Sequence, residues 1–133
     1  MSATDPSPGE AIPNTIDVAL PLRAEHAGTL RVLVATLGAD AGFNIDEIDD
    51  LKLAVSEIFT LLVDGAASVG AFRAHARIIA TDDTVEICLH RGQQNDHLEL
   101  DALAATILSS VVDDHHIDGD GVTLVKHRHE SLA

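Results

Sequence analysis

The sequence predicts an α+β fold, a two-layer sandwich in which a mostly antiparallel sheet carries helices on one face. Three observations predict it. The chain has 133 residues, 46% hydrophobic and 2% aromatic, which suits one domain with an aliphatic core. Stretches with apolar residues at every second position, typical of half-buried strands, alternate with stretches that have them three and four apart, typical of amphipathic helices. Their order is strand, two helices, hairpin, helix and strand.

The domain organisation follows from composition. Residues 1–14 contain three of the four prolines and show no periodicity, so we expect a disordered leader. One folded domain is expected over residues 15–128, followed by a short tail at 129–133.

The first strand and the first helix come next. The strand has alternating apolar residues and ends at Pro21, which favours an edge position; these residues are Ile16, Val18 and Leu20. A helix is predicted from Arg23 to about Leu37, on apolar residues three and four apart. Gly38 is expected to end it.

The second helix has the strongest start signal. Asn44 followed by Glu47 forms an asparagine version of the capping box, in which each residue satisfies the other's free backbone N–H. The helix is expected to run to Gly65 or slightly beyond, and its buried stripe is Ile48, Leu51, Val55, Ile58 and Leu62.

A hairpin, a helix and a strand complete the fold. Alternation over residues 72–80 and 85–89 predicts two antiparallel strands joined by a turn, and a polar loop is expected over residues 91–97. A third helix should follow Glu99, with Leu103, Ile107 and Val111 as its apolar stripe. Gly119 and Gly121 mark a turn before a last strand that contains Val122 and Leu124.

Charge and cysteine content exclude several classes of function. The chain has eight Lys and Arg residues and 22 Asp and Glu residues, which gives a formal charge of −14. This charge repels nucleic-acid phosphates and argues against direct nucleic-acid binding. The single cysteine, Cys88, cannot form an internal disulfide and is expected to be a small buried hydrophobe. With no signal peptide and no apolar run long enough to cross a bilayer, we expect a cytoplasmic protein without a membrane partner.

The stretch from Leu53 to Glu57, Leu-Ala-Val-Ser-Glu, lies in the second helix. With the helix entry at residues 43–48 and the order of elements, it resembles the anti-sigma-factor serine kinases of the histidine-kinase-like ATPase (GHKL) superfamily. The resemblance spans residues 15 to 126, and its only well-matched local motif is this stretch. It implies the superfamily's layered fold and a nucleotide pocket beside the second helix.

The resemblance assigns roles along that helix. In the family, a Glu acts as the general base and an Asn four residues later ligates the magnesium of ATP. Glu57 fills the base position, as a vestigial base, but the Asn position holds Leu61, which has no lone pair for a hard cation. Asp64 returns to nearly the same face and could supply a substitute oxygen. Alternatively, Asp64 is simply solvated at the helix end, and Glu57 is only a polar residue at the edge of the helical layer.

Two further family motifs are degraded. The Asp-x-Gly-x-Gly motif that contacts adenine corresponds to a stretch in which His90 replaces the Asp and only Gly92 remains of the glycines. The glycine-rich lid that covers the phosphates corresponds to residues 93–100, which contain no glycine, so we expect a truncated lid. The degenerate nucleotide pocket would therefore consist of Glu57, Leu61, Asp64, His90 and Gly92.

Other chemistries have weaker support. His115-His116 and His127-x-His129 lack a fixed ligand framework, so no metal site is predicted. Ser56 lies mid-helix without the motif of a nucleophilic serine, so no hydrolase triad is predicted.

The resemblance implies an anti-sigma regulator of transcription. It would act by partner switching between a sigma factor and an anti-anti-sigma protein, as a pseudo-kinase without a cofactor and with doubtful ATP binding; a homodimer is compatible with the family. One alternative is an active ATP-dependent serine kinase that phosphorylates the anti-anti-sigma partner. Another is an α+β ligand-binding or scaffold module whose helix motif reflects packing alone.

Overall fold

The computed structural model describes residues 14–93 and 97–129, so the predicted leader and most of the predicted tail lie outside the described residues. A short 3-10 turn precedes α1, and another follows α2. The strands and helices, in chain order, are β1 Asn14–Pro21, α1 Ala27–Asp40, α2 Ile45–Asp64, β2 Arg73–Ala80, β3 Thr84–His90, α3 Ala102–Val111, β4 Asp114–Asp118 and β5 Gly121–His127.

The strands form one antiparallel sheet of five strands in the order β1-β2-β3-β5-β4. Alternate residues of the three central strands are buried against the helices, and the residues between them lie on an open face. The core contains Val34, Leu51, Val55, Ile78 and Ile87. This arrangement confirms the predicted α+β sandwich, with β1 at the sheet edge as expected.

Helix α1 ends later than the sequence predicted. Gly38 was expected to end the first helix, and that prediction is wrong, since α1 continues to Asp40. Gly38 faces α2, where an added Cβ atom would make an ordinary van der Waals contact of 3.4 Å with the Ile48 side chain. The chain instead turns at Gly42, where φ is +87°. In the described part of the chain, none of the helices is both long and apolar enough to cross a membrane.

The sequence analysis missed strand β4. It pairs with β5 along its whole length at the sheet edge, where most of its side chains are exposed. Its sequence, Asp-His-His-Ile-Asp, shows no apolar alternation because neither face is buried. Backbone pairing alone holds it in the sheet.

Two apolar residues lie outside their predicted stripes. Phe72, expected to begin the second strand on its buried face, precedes β2 and is 84% exposed. Leu103, expected on the buried stripe of α3, is also exposed. Val111 of that stripe is buried as expected, together with Ala104 and Leu108. Both errors arise at element ends, where apolar spacing alone does not define which residue contacts the core.

Buried polar contacts join α2 to the C-terminal strand. The predicted capping box is present: the Asn44 N–H donates to Glu47 Oε1 over 2.9 Å, and the Glu47 N–H donates to Asn44 Oδ1 over 2.8 Å. The other Glu47 oxygen accepts the backbone N–H of His129 over 2.7 Å. Nearby, the buried Lys126 Nζ donates to Asp50 Oδ2 over 3.2 Å and to the Val111 carbonyl over 2.8 Å.

Glu47 is thus both a helix cap and a link to the chain after β5. Burial alone would raise the pKa of its carboxyl, but the N–H donors of Asn44 and His129, with the nearby charges of His129 and Lys126, lower it below the ordinary 4.5. A depressed folded-state pKa stabilises the fold above the unfolded pKa, and this contribution is lost as pH falls through the folded value.

We expect Glu47→Ala to lower the free energy of unfolding by about 1–2 kcal/mol at pH 7, since it removes the cap. The difference from wild type should stay constant above pH 4.5 and shrink at lower pH, as measured by urea unfolding. Asp46→Ala removes an exposed carboxylate from the same turn and should cost less than about 0.5 kcal/mol. Equal costs for the two variants at pH 7 would contradict this role of Glu47.

Candidate functional site

One face of α2 carries three of the predicted site residues. Glu57, Leu61 and Asp64 follow one another at spacings of four and three, so they lie along one side of the helix. The capping box and the buried stripe fix the rotation of α2 and therefore the direction of this row. Glu57 is half-buried and Asp64 is exposed. Within the described residues, the Glu57 carboxylate has no hydrogen bond or salt bridge.

Leu61 takes part in the core. It is partly buried and packs against the hydrophobic cluster beneath α2. A hydrocarbon in this position offers no oxygen to a cation, and Mg²⁺ requires oxygen ligands in near-octahedral geometry. Among the described residues there is also no group of three His, Cys, Asp or Glu side chains placed to hold a metal ion.

Ser56, next to Glu57, is engaged in hydrogen bonds. Its hydroxyl donates to the Lys52 carbonyl one turn earlier over 2.8 Å and accepts from Arg31 Nη1 of α1 over 3.1 Å. The side chain links two helices, and no histidine is bonded to it. Its geometry is that of a structural contact.

Arg91 fills the space at the C-terminal end of α2. The predicted loop position is confirmed, since Arg91 follows the end of β3, but the side chain is buried, with only 6% exposed. Its Nη1 donates to the Leu62 carbonyl over 3.2 Å, so a positive charge meets the negative end of the helix. The contact is close: a Cβ atom added to Gly65 would lie 2.5 Å from this nitrogen.

The alternation of β3 explains the burial of Arg91. Val85, Ile87 and Leu89 face the helices, and the next position in phase is residue 91. This signal is present in the sequence. It was missed because the polar composition of residues 91–97 indicated a loop.

His90 and Gly92 lie away from the α2 row. The same alternation places His90 on the open face of the sheet, where its ring stacks on that of His75. Gly92, with φ of +76°, follows it, and its N–H donates to Asp120 Oδ2 over 2.6 Å. The structure thus brings Glu57, Leu61 and Asp64 together and points His90 to the opposite side of the sheet.

The segment between β3 and α3 is short and partly attached to the core. Residues 94–96 lie outside the described residues, but Leu98 is buried and its N–H donates to the Gly119 carbonyl over 2.9 Å. Asp101 then caps α3 by accepting the Ala104 N–H over 2.7 Å. These contacts attach the C-terminal part of the segment in which the sequence predicted a truncated lid.

Comparison with known proteins shows which proteins this chain is similar to. No protein-family model matches the sequence. The chain is 31% identical over 84 residues to the serine-protein kinase RsbW of Halalkalibacterium halodurans, covering 63% of this chain and 52% of that protein. It is 27% identical over 130 residues to the serine-protein kinase RsbW of Bacillus licheniformis, covering 82% of this chain and 81% of that protein. The matched part thus spans about half of the first relative and most of the second.

A solved structure has the same fold. It contains the RsbU and RsbW domains of Rv1364c from Mycobacterium tuberculosis and superposes with a TM-score of 0.62 at 17% identity, covering 87% of this chain and 32% of that chain. The chain therefore has the α+β fold of a structure that contains an RsbW domain. More specifically, the chain is a homologue of the serine-protein kinases named RsbW.

Because Arg91 lies so close to Gly65 at the end of α2, even the substitution of Gly65 by alanine is predicted to destabilise the fold. Gly65 has ordinary helical angles, with φ −94° and ψ 0°, so alanine is conformationally allowed there. We expect Gly65→Ala to displace the guanidinium from the Leu62 carbonyl and to lower the free energy of unfolding by about 1–3 kcal/mol. Urea unfolding measures it.

Two variants control this experiment. Gly28→Ala in α1 meets an ordinary 3.6 Å contact, so it should be neutral or stabilising. In an Arg91→Met background, Gly65→Ala should lose most of its cost, as a double-mutant cycle would show. If Gly65→Ala lowered the free energy of unfolding equally in the wild type and in Arg91→Met, the two residues would not be coupled.

Proposed function

We propose that this chain is a cytoplasmic anti-sigma-type regulator that works by binding proteins and does not transfer phosphate. It would hold a sigma factor and release it when an anti-anti-sigma protein competes. The homology to RsbW proteins supports the regulatory role. The observation that carries the loss of catalysis is the packing of Leu61 into the core, in the place where the family has its magnesium ligand.

The residues of the site do not fit magnesium-ATP. Glu57 is the one carboxylate in the predicted base position, and Leu61 offers no oxygen beside it. Asp64 is exposed at the last residue of α2. At the end of the same helix, the Arg91 guanidinium occupies buried space and is bonded to protein. Leu61 cannot ligate Mg²⁺, and the positively charged Arg91 side chain fills buried space near the end of the row formed by Glu57, Leu61 and Asp64. Both features argue against the binding of magnesium-ATP.

Partner switching does not require catalysis. It depends on a difference in affinity between two competitors, and such a difference survives the loss of a kinase site. The formal charge of −14 favours the approach of a basic protein. Exposed apolar side chains, which anchor protein interfaces, are also present; they are Val32, Ile45, Leu53, Phe72 and Leu103.

The second candidate is an active serine kinase. The names of the relatives favour it, and so does the retained Glu57. In this case Asp64 would have to replace the missing metal ligand. The two candidates differ in whether magnesium-ATP binds and whether release of the sigma factor needs it.

We expect the purified chain to form a complex with a sigma factor encoded in the same genome. Its association rate should fall several-fold between low and high salt, because acidic surface charge attracts a basic partner. A cognate anti-anti-sigma protein should displace the sigma factor equally well with and without magnesium-ATP, as followed by biolayer interferometry. A form of that competitor with its phosphorylatable serine replaced by alanine is the control, and it should behave the same. The proposal would be refuted if the chain formed no complex with any sigma factor encoded in the same genome, or if displacement of the sigma factor depended on ATP.

We expect magnesium-ATP to bind more weakly than about 1 mM, that is, with less than about 4 kcal/mol of binding free energy, as measured by calorimetry. Leu61→Asn alone should not restore phosphorylation of an anti-anti-sigma protein, since Arg91 and the shortened segment after β3 remain. Micromolar binding by the wild type, or phosphoryl transfer by Leu61→Asn, would favour the kinase.

A further inference from the structure

Two histidines face each other across adjacent strands on the open face of the sheet. His75 of β2 is the direct register partner of His90 of β3. Their ring centroids are 5.1 Å apart, and the ring planes differ by 22°. Directly opposed residues on antiparallel strands have their Cβ atoms about 4.5–5.5 Å apart, so both rings can reach one point above the sheet.

A carboxylate lies beside one of the two rings. Asp120 Oδ2 is 3.8 Å from Nδ1 of His90 and accepts the backbone N–H groups of Gly92 and Gln93 over 2.6 and 3.0 Å. The backbone therefore fixes the carboxylate in place. It places a negative charge beside the two rings, beyond hydrogen-bond distance of His90.

The pair is accessible. It lies in a depression of about 600 Å³ on the open face, whose lining also includes Cys88 and Arg77. Gly92 leaves room above His75, since a Cβ atom there would lie 3.6 Å from the ring. The Cys88 thiol is directed towards β5, with Sγ 3.6 Å from Thr123 Oγ1.

The other described histidines are less suited to chelation. His115 and His116 are adjacent on β4, so their side chains project to opposite faces. His127 Nδ1 lies 3.2 Å from Thr84 Oγ1, and His129 Nε2 lies 3.6 Å from Asp113. Only the pair formed by His75 and His90 combines direct cross-strand register with a carboxylate fixed by backbone N–H groups, within the part of the chain that the structure describes.

We propose that His75 and His90 form a two-histidine site for a divalent transition-metal ion of the zinc and copper class, which imidazole ligands favour. The stacked rings turn so that one nitrogen of each meets the ion, the Asp120 carboxylate adds negative charge nearby, and water completes the coordination. Since no third protein ligand is assembled there among the described residues, the site is open on one side. The proposal is independent of the regulatory function and of the α2 row.

The test is calorimetric titration of the untagged full chain with Zn²⁺ in a non-chelating buffer at pH 7.5. We expect one saturable site per chain. His75→Ala or His90→Ala should each weaken binding at least tenfold. Asp120→Asn removes a nearby negative charge and should weaken binding by a smaller factor.

Matched variants separate this site from adventitious binding by surface histidines. The double variant His115→Ala/His116→Ala removes two other imidazoles and should change the affinity less than twofold, as should Cys88→Ser. Histidine ring resonances in NMR spectra should shift on Zn²⁺ addition for His75 and His90, which gives a readout that does not depend on variant stability. Equal effects of all histidine variants, loss of binding in Cys88→Ser, or unshifted His75 and His90 resonances would overturn the proposal.

Discussion

Burial of one face of the sheet beneath α2 is the constraint on which the rest of the molecule depends. The capping box at Asn44 and the apolar stripe of α2 set the rotation of the helix, and the strands present every second residue to it. Once one face of the sheet is buried, the alternation of each strand determines which of its side chains point into the core and which lie on the open face. The direction of Glu57, Arg91 and His90 follows from this single division.

Residues at the candidate site also contribute to the packing of the fold. A leucine at position 61 adds apolar contact to the core, while an oxygen ligand there would serve only a cation. The buried Arg91 completes the C-terminal end of α2 by meeting the Leu62 carbonyl. Both residues lie where the sequence resemblance predicts a nucleotide pocket. Under the proposed function, the chain acts through its surface, with acidic charge to attract a partner and exposed apolar side chains to contact it.

The open face of the sheet has a different character from the helical layer. It mixes polar and apolar side chains, and strand register determines which of them meet. Asp17 of β1 faces Arg77 of β2, and the pair forms a salt bridge of 2.7 Å. In the next row towards the end of β3, His75 meets His90. Residues far apart in the chain thus become neighbours without any short motif in the sequence.

The sequence by itself determined the layered fold, the capped second helix and the hairpin, because apolar periodicity and capping are local properties that burial enforces. It also identified Glu57, Leu61 and Asp64 as one row, since helical spacing needs no tertiary information. Tertiary structure alone decided the pairing of β4, whose polar residues gain backbone hydrogen bonds without a buried face. It likewise decided the burial of Arg91 against the end of α2 and the meeting of His75 with His90. In each of these cases the deciding contact joins separate elements, so its energy depends on how the layers and strands are positioned relative to one another.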